Sequence, residues 1–216
     1  MTRVVVADDH TLLREGLKQL LRADGDIEVV GEAADGQAVL QQVRSAEFDV
    51  LLLDMSMPGK SGIELIKQVK SERPRLRVLV LSMHEEQQYA VRAIRAGASG
   101  YLTKESAPAQ LLTAIRKVAA GGAFISAEVA EQLALGAMPG AERPPHELLS
   151  DREYQVLQRL VAGQSVTDIA GELNLSSKTV STHKARLMEK LGVSNSADLI
   201  RYAMRHGLGE GGEALS

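Results

Sequence analysis

Two runs of consecutive apolar residues constrain the fold of this chain more than any other feature. Val50-Leu51-Leu52-Leu53 and Val78-Leu79-Val80-Leu81 show no alternation with polar residues, as in strands that are buried on both faces of a parallel sheet. Shorter runs predict three more strands, so the five lie at Arg3–Ala7, Ile27–Ala33, Val50–Asp54, Arg77–Ser82 and Gly100–Thr103. Amphipathic stretches between and after them predict helices at Thr11–Ala23, Gln37–Ser45, Gly62–Arg73, Glu86–Ala96 and Ala107–Ala120. These units predict a doubly wound α/β domain, whose ligands bind beyond the carboxyl ends of the strands.

The sequence changes character after Gly121-Gly122. A short helical piece at Ser126–Leu135 is followed by a run of small residues and prolines to Pro145, which predicts an interdomain linker. From Ser150 onward no strand pattern appears, and four helices are predicted at Asp151–Ala162, Val166–Leu173, Ser177–Leu191 and Ser196–His206. We therefore expect an α/β domain over residues 1–121, a linker with a short helix over 122–147, an all-α four-helix domain over 148–208 and a flexible tail over 209–216.

Composition excludes several classes of site. The chain has no Cys, which excludes disulfides, thiol catalysis and Cys-ligated zinc and fits the reducing cytoplasm. Its apolar runs fall short of the roughly 20 residues of a membrane helix, and the first ends at Asp8, too early for a secretory signal. We therefore expect a cytoplasmic protein with no membrane partner. Residues 150–207 hold eight basic and six acidic residues, so any binding to a phosphate backbone is expected there.

Acidic residues stand at the carboxyl ends of two predicted strands. Asp8 and Asp9 end the first strand and Asp54 ends the third, and these strands are neighbours in a doubly wound sheet. Carboxylates brought this close repel one another and raise one another's pKa, and a hard divalent cation offsets this repulsion. Carboxylates and waters are the ligands that Mg²⁺ prefers. We expect a magnesium site at this edge; three separate, solvated acids are the alternative.

Two further polar residues follow the last two strands. Ser82 ends the fourth strand and Lys104 follows the fifth, so both are expected at the same crevice. Lys104 can neutralise a phosphoryl oxygen as a point charge, and Ser82 can donate a hydrogen bond to another. Singly, each is an ordinary surface or turn residue. Together with the aspartates they predict a specific site.

The first 121 residues resemble the receiver domain of response regulators, a flavodoxin-like fold. The motifs that carry the resemblance are Asp8-Asp9, Asp54-Met55-Ser56-Met57-Pro58-Gly59, Leu81-Ser82 and Tyr101-Leu102-Thr103-Lys104. The resemblance implies that Asp54 is the phosphoacceptor and that Asp8, Asp9, Asp54 and the backbone carbonyl of Ser56 hold Mg²⁺. It also implies that Lys104 pairs with the phosphoryl group and that Ser82 and Tyr101 are switch residues. No enzymatic activity is expected beyond self-phosphorylation and slow autodephosphorylation of Asp54.

Three features depart from the usual receiver pattern. Glu105 follows Lys104 where many receivers have Pro, so we expect a trans peptide bond. Ser82 and Tyr101 replace the commoner Thr and Phe but keep the hydroxyl and the aromatic ring. Met83 replaces a small residue, and we hypothesise that its bulk shields the phosphoryl group from water and slows autodephosphorylation.

A helix-turn-helix is predicted between Val166 and Leu187. Small Ala170 lets two helices approach closely, and a turn at Asn174-Leu175-Ser176 precedes the second helix. The second helix buries one apolar stripe and presents a basic face that suits the DNA major groove. With Glu189, its four cations give it a charge of +3: Lys178, Lys184, Arg186 and Lys190. An amphipathic helix of an ordinary bundle is the alternative.

Residues Leu149 to His206 resemble the LuxR-type four-helix DNA-binding domain. Among the motifs that carry this are Ser150-Asp151-Arg152-Glu153, Ile169-Ala170, Lys178-Thr179-Val180 and Lys190-Leu191-Gly192-Val193. The resemblance implies that the residues facing DNA are Lys178, Thr179, Ser181, Thr182, Lys184, Ala185 and Arg186. Ser181 stands where many relatives carry Lys, which alters the expected sequence preference. His183 is expected to pack under this helix, with one nitrogen near a phosphate.

Together the two resemblances identify the chain as a response regulator of the NarL/FixJ family. They imply that a sensor histidine kinase phosphorylates Asp54, that phosphorylation frees the recognition helix, and that a homodimer then binds promoter DNA. RNA polymerase is a further expected partner, and the unphosphorylated chain is expected to be mostly monomeric.

Three other functions use some of the same sequence features. A nucleotide hydrolase is excluded because a P-loop ending in Gly59-Lys60-Ser61 requires Gly where Asp54 stands. A phosphatase resembling the haloacid dehalogenases requires Asp-x-Asp, whereas Asp54-Met55-Ser56 lacks the second acid. An output domain that binds only protein stays open, and binding of duplex DNA by the C-terminal segment would distinguish it.

Overall fold

A computed structural model describes residues 1–57, 62–83, 87–137 and 144–208. The chain divides into two compact units, residues 1–138 and 139–216, and each is described by itself below. Within the described residues, no helix has both the length and the apolar character that crossing a membrane requires.

The first unit is a five-stranded parallel sheet with helices on both faces. Its strands are β1 (Thr2–Ala7), β2 (Ile27–Ala33), β3 (Val50–Asp54), β4 (Arg77–Ser82) and β5 (Gly100–Thr103). They alternate with α1 (Thr11–Ala23), α2 (Gly36–Ser45), α3 (Gly62–Glu72), α4 (Gln87–Arg95) and α5 (Pro108–Ala119). The strand order is β2-β1-β3-β4-β5, so the predicted doubly wound, flavodoxin-like fold is confirmed. The apolar runs form the centre of the sheet, and every residue of β3 is buried.

The register of the sheet brings the strand ends to one edge. Ala7 pairs with Leu53, Asp54 pairs with Leu81, and Ser82 pairs with Thr103. The residues that follow or end β1, β3, β4 and β5 therefore lie side by side, at the carboxyl edge where α/β sheets place their ligands.

A sixth helix, α6 (Ala127–Gly136), belongs to the first unit. The chain before it runs along the outer edge of β5, where Phe124 forms a parallel bridge with Gly100 and its carbonyl accepts the Tyr101 N–H at 2.9 Å. This pairing covers an edge strand that would otherwise expose unpaired backbone groups. The Ser126 side chain caps the helix, which then packs against α4 with Val129 buried. The helical piece predicted within the linker is thus attached to the α/β domain, next to β5.

The second unit is all-helical in its described residues. A short 3₁₀ turn (Pro145–Leu148) precedes α7 (Asp151–Val161), α8 (Val166–Glu172), α9 (Ser177–Leu191) and α10 (Ser196–Arg205). Ser150 and Glu153 form a capping box at the start of α7, and Gly192 ends α9 with a positive φ of 66°, a conformation that favours glycine. The core consists of fully buried side chains from all four helices: Tyr154, Val156, Leu157, Ile169, Val180, Leu187, Leu199 and Ala203.

Candidate functional site

Three carboxylates meet at the carboxyl edge of the sheet. Asp8 and Asp9 follow β1 and Asp54 ends β3, and one ligand atom from each, with a nitrogen of His10, lie within 4.8 Å of one another. Asp8 and Asp54 are each only 1% exposed. The backbone N–H of Ser56 donates to Asp54 Oδ1 at 3.1 Å, which fixes the orientation of that carboxylate. The structure therefore brings together the acids that the strand ends predicted.

Lys104 enters the same pocket from the end of β5. Its Nζ lies 2.8 Å from Asp8 Oδ2 and 2.8 Å from Asp54 Oδ2, and its side chain is 6% exposed. The backbone N–H of Lys104 donates to the carbonyl of Ser82 at 2.8 Å, so the β4–β5 ladder sets its position. The Lys104–Glu105 bond is trans, as the absence of Pro at position 105 predicted.

Burial and charge act in opposite directions in this pocket. Burial raises the pKa of Asp54, although the Lys104 ammonium and the Ser56 N–H both lower it. Burial alone would lower the pKa of Lys104, but hydrogen bonds and charge interactions with Asp54 and Asp8 raise it above its ordinary value. Lys104 is thus held as a cation at neutral pH.

The pocket fits a divalent cation. Three carboxylates face one lysine, so negative charge stays in excess even though Lys104 Nζ lies 2.8 Å from both Asp8 Oδ2 and Asp54 Oδ2. Hard carboxylate oxygens are the ligands that Mg²⁺ takes. Asp8, Asp9 and Asp54 would hold the ion, together with the backbone carbonyl of Ser56 that the receiver resemblance implies.

The two residues proposed as switches lie beside the pocket and beside α6. Ser82 is fully buried at the end of β4, and Tyr101 is 9% exposed on β5. Tyr101, Phe124 and Val129 line one cavity between β5 and α6, so the ring borders the segment that leads toward the second unit. Met83, next to Ser82, is 62% exposed. The motif residues Pro58 and Gly59, and the Gly59-Lys60-Ser61 tripeptide, lie outside the described residues.

His10 also lies at the pocket, although no sequence pattern indicated it. Its backbone N–H donates to Asp8 Oδ1 at 2.8 Å, and its Nδ1 lies 3.3 Å from Asp8 Oδ1 and 3.0 Å from Asp9 Oδ1. The imidazole is 67% exposed. The signal that could have found it is its place directly after two acidic pocket residues, because a lone His carries no periodic pattern.

In the second unit, α9 presents an exposed face opposite its buried stripe. Val180, Leu187 and Leu191 are buried. The residues predicted to face DNA are exposed or half-buried: Lys178, Ser181, Thr182, Ala185 and Arg186 are exposed, and Thr179 and Lys184 are half-buried. Lys184 lies at the flank of this face, where its Nζ donates to Ser196 Oγ at 3.3 Å. A helix with small and cationic residues on its open face has the dimensions and charge to enter a major groove.

Lys190, the fourth cation of α9, was not among the residues predicted to face DNA, and it pairs with another helix instead. Its Nζ lies 2.6 Å from Glu153 Oε2 and donates to the carbonyl of Leu148 at 3.4 Å. The ion pair joins α9 to the start of α7. Three cations of α9 therefore remain available to contact DNA: Lys178, Lys184 and Arg186. Burial lowers the pKa of half-buried His183, which favours the neutral ring, and its Nδ1 is buried among the described side chains.

We expect Glu153→Gln to lower the free energy of unfolding of the second unit by about 1–2 kcal/mol, because a hydrogen bond to a charged group is lost at a buried site. Burial raises the pKa of Glu153, but Lys190 and the Ser150 N–H outweigh it and hold that pKa below 4.5. The stabilisation is therefore present at neutral pH and is lost as the pH falls through this depressed value.

Thermal unfolding of both proteins between pH 3 and pH 7 measures this effect, with Glu189→Gln as the matched control on the exposed side of α9. The difference between wild type and Glu153→Gln should shrink at the acid end. A difference that stays constant with pH would contradict the ion-pair account.

Comparisons with known proteins agree with both units. Residues 4–116 match the family described as "Response regulator receiver domain", and residues 147–203 match the family described as "Bacterial regulatory proteins, luxR family". The chain is 39% identical over 209 residues to response regulator GacA of Pseudomonas viridiflava, covering 96% of this chain and 98% of that protein. It is 37% identical to response regulator UvrY of Escherichia coli K12, covering 96% of each.

Solved structures of RcsB resemble most of the chain. RcsB from Salmonella enterica serovar Typhimurium, bound to promoter rprA with the phosphomimetic BeF₃⁻, superposes with a TM-score of 0.61 at 31% identity, covering 93% of this chain and 97% of that one. A structure of two RcsB dimers bound to two parallel DNAs has a TM-score of 0.57 at 33% identity, covering 93% and 96%.

Proposed function

Because the chain belongs to the response regulators of the NarL/FixJ family, with a receiver domain and a LuxR-type DNA-binding domain, we propose that phosphorylation of Asp54 controls its binding to promoter DNA. The chain is a DNA-binding transcriptional regulator of a two-component system. The proposed phosphodonor is the phosphohistidine of a sensor kinase, and Mg²⁺ is the proposed cofactor. The observation that carries the proposal is the convergence of Asp8, Asp9, Asp54 and Lys104 on one buried crevice.

The chemistry proposed for this crevice is an in-line phosphoryl transfer. A carboxylate oxygen of Asp54 attacks the phosphorus atom, a new O–P bond forms, and the N–P bond to the donor imidazole breaks. Lys104 moves from its ion pairs with Asp8 and Asp54 to neutralise an oxygen of the transferring group. Asp8, Asp9 and Asp54 would hold the Mg²⁺, which would supply further neutralisation of the phosphoryl oxygens.

The proposed output runs through β4, β5 and α6. An Asp54 phosphoryl group adds negative charge that draws the Ser82 hydroxyl inward, and Tyr101 follows into the space beside it. Three contacts support a direct effect on α6: the Tyr101 N–H donates to the Phe124 carbonyl, Tyr101 shares a cavity with Val129, and α6 packs on α4. The proposed switch therefore acts through short, direct contacts on the segment that precedes the DNA-binding domain.

Phosphorylation is proposed to convert a monomer into a homodimer that binds paired half-sites in promoter DNA. Dimers on DNA are recorded for RcsB, which supports this stoichiometry. RNA polymerase is the further partner that a promoter-bound regulator would contact, and the place of action is the cytoplasm, where the promoters are.

Treatment with Mg²⁺ and a small acyl phosphate tests the proposal. Mass spectrometry should locate one phosphoryl group on the peptide that contains Asp54, and light scattering should show the mass of a dimer. A modified chain that stays monomeric and binds DNA no better would contradict the proposed switch, and no modification at all would contradict the phosphoacceptor site.

We expect Met83→Ala to shorten the lifetime of the phosphorylated protein. Met83 is 62% exposed at the end of β4, so its side chain is free to lie over a phosphoryl group on Asp54 and exclude attacking water. The decay of phosphoprotein after donor removal measures the lifetime, with Met83→Leu as a control of similar volume. An unchanged half-life in Met83→Ala would contradict the shielding hypothesis.

A further inference from the structure

Arg14, at the end of the first turn of α1, reaches back to the backbone of the acidic pocket. Its Nη1 donates to the carbonyl of Asp8 at 2.6 Å, and its Nε donates to Glu32 Oε2 at 3.0 Å. The side chain is 13% exposed. Because Glu32 lies on β2, the guanidinium joins the loop that carries two pocket acids to a neighbouring strand.

The loop that Arg14 contacts has an unusually open helix start behind it. It consists of residues 8–10, between the end of β1 and the beginning of α1. His10 occupies the N-cap position of α1, but its side chain makes no capping hydrogen bond, and the first turn contains no acidic residue. Side-chain caps normally fix such a start. The position of the loop therefore depends on contacts from outside the helix terminus.

Asp8 is held at four atoms, and Arg14 supplies the contact to its carbonyl. The Asp8 N–H donates to the end of β2 at 3.1 Å, Oδ1 accepts the His10 N–H at 2.8 Å, and Oδ2 lies 2.8 Å from Lys104 Nζ. The carbonyl that accepts from Arg14 belongs to the peptide group between Asp8 and Asp9. Because a peptide group is planar, fixing its oxygen fixes the direction in which the backbone enters Asp9.

Glu32 keeps the guanidinium in place from the other side. Its carboxylate accepts from Arg14 Nε at 3.0 Å and from Lys18 Nζ at 3.2 Å. These hydrogen bonds hold the pKa of Glu32 below its ordinary value, although burial raises it, so the carboxylate is charged at neutral pH. A guanidinium donates in several fixed directions within one plane, and Arg14 can therefore bind both oxygens without choosing between them.

We propose that Arg14 is a positioning residue of the phosphorylation pocket, which fixes the Asp8–Asp9 peptide and so keeps both carboxylates where phosphoryl transfer to Asp54 requires them. This inference rests on the proposed function, because the pocket acids are the same. Arg14 acts through the backbone of Asp8 and not on the reacting atoms. A misplacement of about 1 Å near a reacting centre can cost about 100-fold in rate, so the loss of Arg14 should slow the transfer while the fold persists.

Arg14→Gln and Lys18→Gln in the full-length protein test the proposal as a matched pair. Both side chains are 13% exposed and both pair with Glu32, so each variant removes one ion pair from the same contact between α1 and β2. Arg14 is the one of the two that also donates to the Asp8 carbonyl. The rate of phosphorylation is measured over a series of acyl phosphate concentrations at saturating Mg²⁺. The maximal rate should fall about 10- to 100-fold in Arg14→Gln and stay at the wild-type value in Lys18→Gln.

Nuclear magnetic resonance of the same proteins gives a readout that a change of stability alone would not move. The Asp9 amide nitrogen and the Asp8 carbonyl belong to one peptide group, so the ¹⁵N shift of Asp9 responds to a hydrogen bond on that carbonyl. We expect this resonance to move in Arg14→Gln and to stay in place in Lys18→Gln.

The outcomes separate this proposal from the proposed function. A wild-type rate in Arg14→Gln, or an equal loss of rate in both variants, would overturn the positioning role. A slow Arg14→Gln protein whose Asp9 resonance had not moved would overturn it as well. All three results leave phosphorylation of the wild type at Asp54 standing. If the wild type itself accepted no phosphoryl group at Asp54, the proposed function would fail and the positioning role with it.

Discussion

Replacing Asp54 with Asn is expected to lower phosphoryl incorporation from an acyl phosphate by at least about 100-fold, because a neutral amide is a far weaker nucleophile than a carboxylate. The side chains are nearly the same size, and Asp54 is 1% exposed at the end of a fully buried strand, so the fold should persist. Removing one acid also reduces the negative charge that the pocket must balance. The variant should therefore be at least as stable as the wild type while losing its phosphorylation.

Two measurements test this prediction together: the incorporation of a radiolabelled phosphoryl group and the affinity for operator DNA. Asp26→Asn is the control, because Asp26 is an exposed aspartate outside the pocket. The control should be phosphorylated and should gain operator affinity like the wild type, whereas Asp54→Asn should show the same affinity with and without donor. Normal incorporation into Asp54→Asn would mean that another residue accepts the phosphoryl group.

The double variant Lys178→Ala/Arg186→Ala is expected to weaken DNA binding by about 100-fold, at roughly 1–3 kcal/mol for each cationic contact. Both side chains are exposed on α9, away from its buried stripe, so the helix should keep its packing. The plot of log affinity against log salt should also lose up to about two units of slope if both cations contact phosphates.

Fluorescence anisotropy with duplex DNA across a salt series measures both quantities. Lys67→Ala is a suitable control, since Lys67 is an exposed lysine on α3 of the receiver domain. Unchanged binding in the double variant would mean that DNA is contacted by residues other than these two cations of α9. A large loss of affinity with no change of slope would instead indicate that these residues contact base edges.

The regular elements were predictable because each depends on a short local pattern. The uninterrupted apolar runs at residues 50–53 and 78–81 required a doubly covered parallel sheet, and that sheet determined where the ends of β1 and β3 lie. The convergence of Asp8, Asp9 and Asp54 followed from topology without any knowledge of side-chain contacts.

Contacts between distant elements were not predictable in the same way. The helical pattern of α9 assigns Lys190 to a charged surface, but only the packed structure shows that Glu153, on another helix, neutralises it. The position of α6 against α4 was missed for the same reason, because its pattern predicts a helix but does not identify the surface that it covers. His10 was overlooked because a single residue at a helix start has no periodicity.

The docking of α6 on the receiver domain determines the length of the tether between the two folded units. With α6 attached, eight residue-to-residue steps separate Gly136 from Pro144, so chain length allows at most about 28 Å between these two residues. If α6 detached and melted, the free chain would begin near Gly122 and reach about 75 Å. The local concentration of one unit around the other falls roughly as the −3/2 power of linker length, so it would drop about fourfold to fivefold. A helix three turns long would then regulate how often the two units meet.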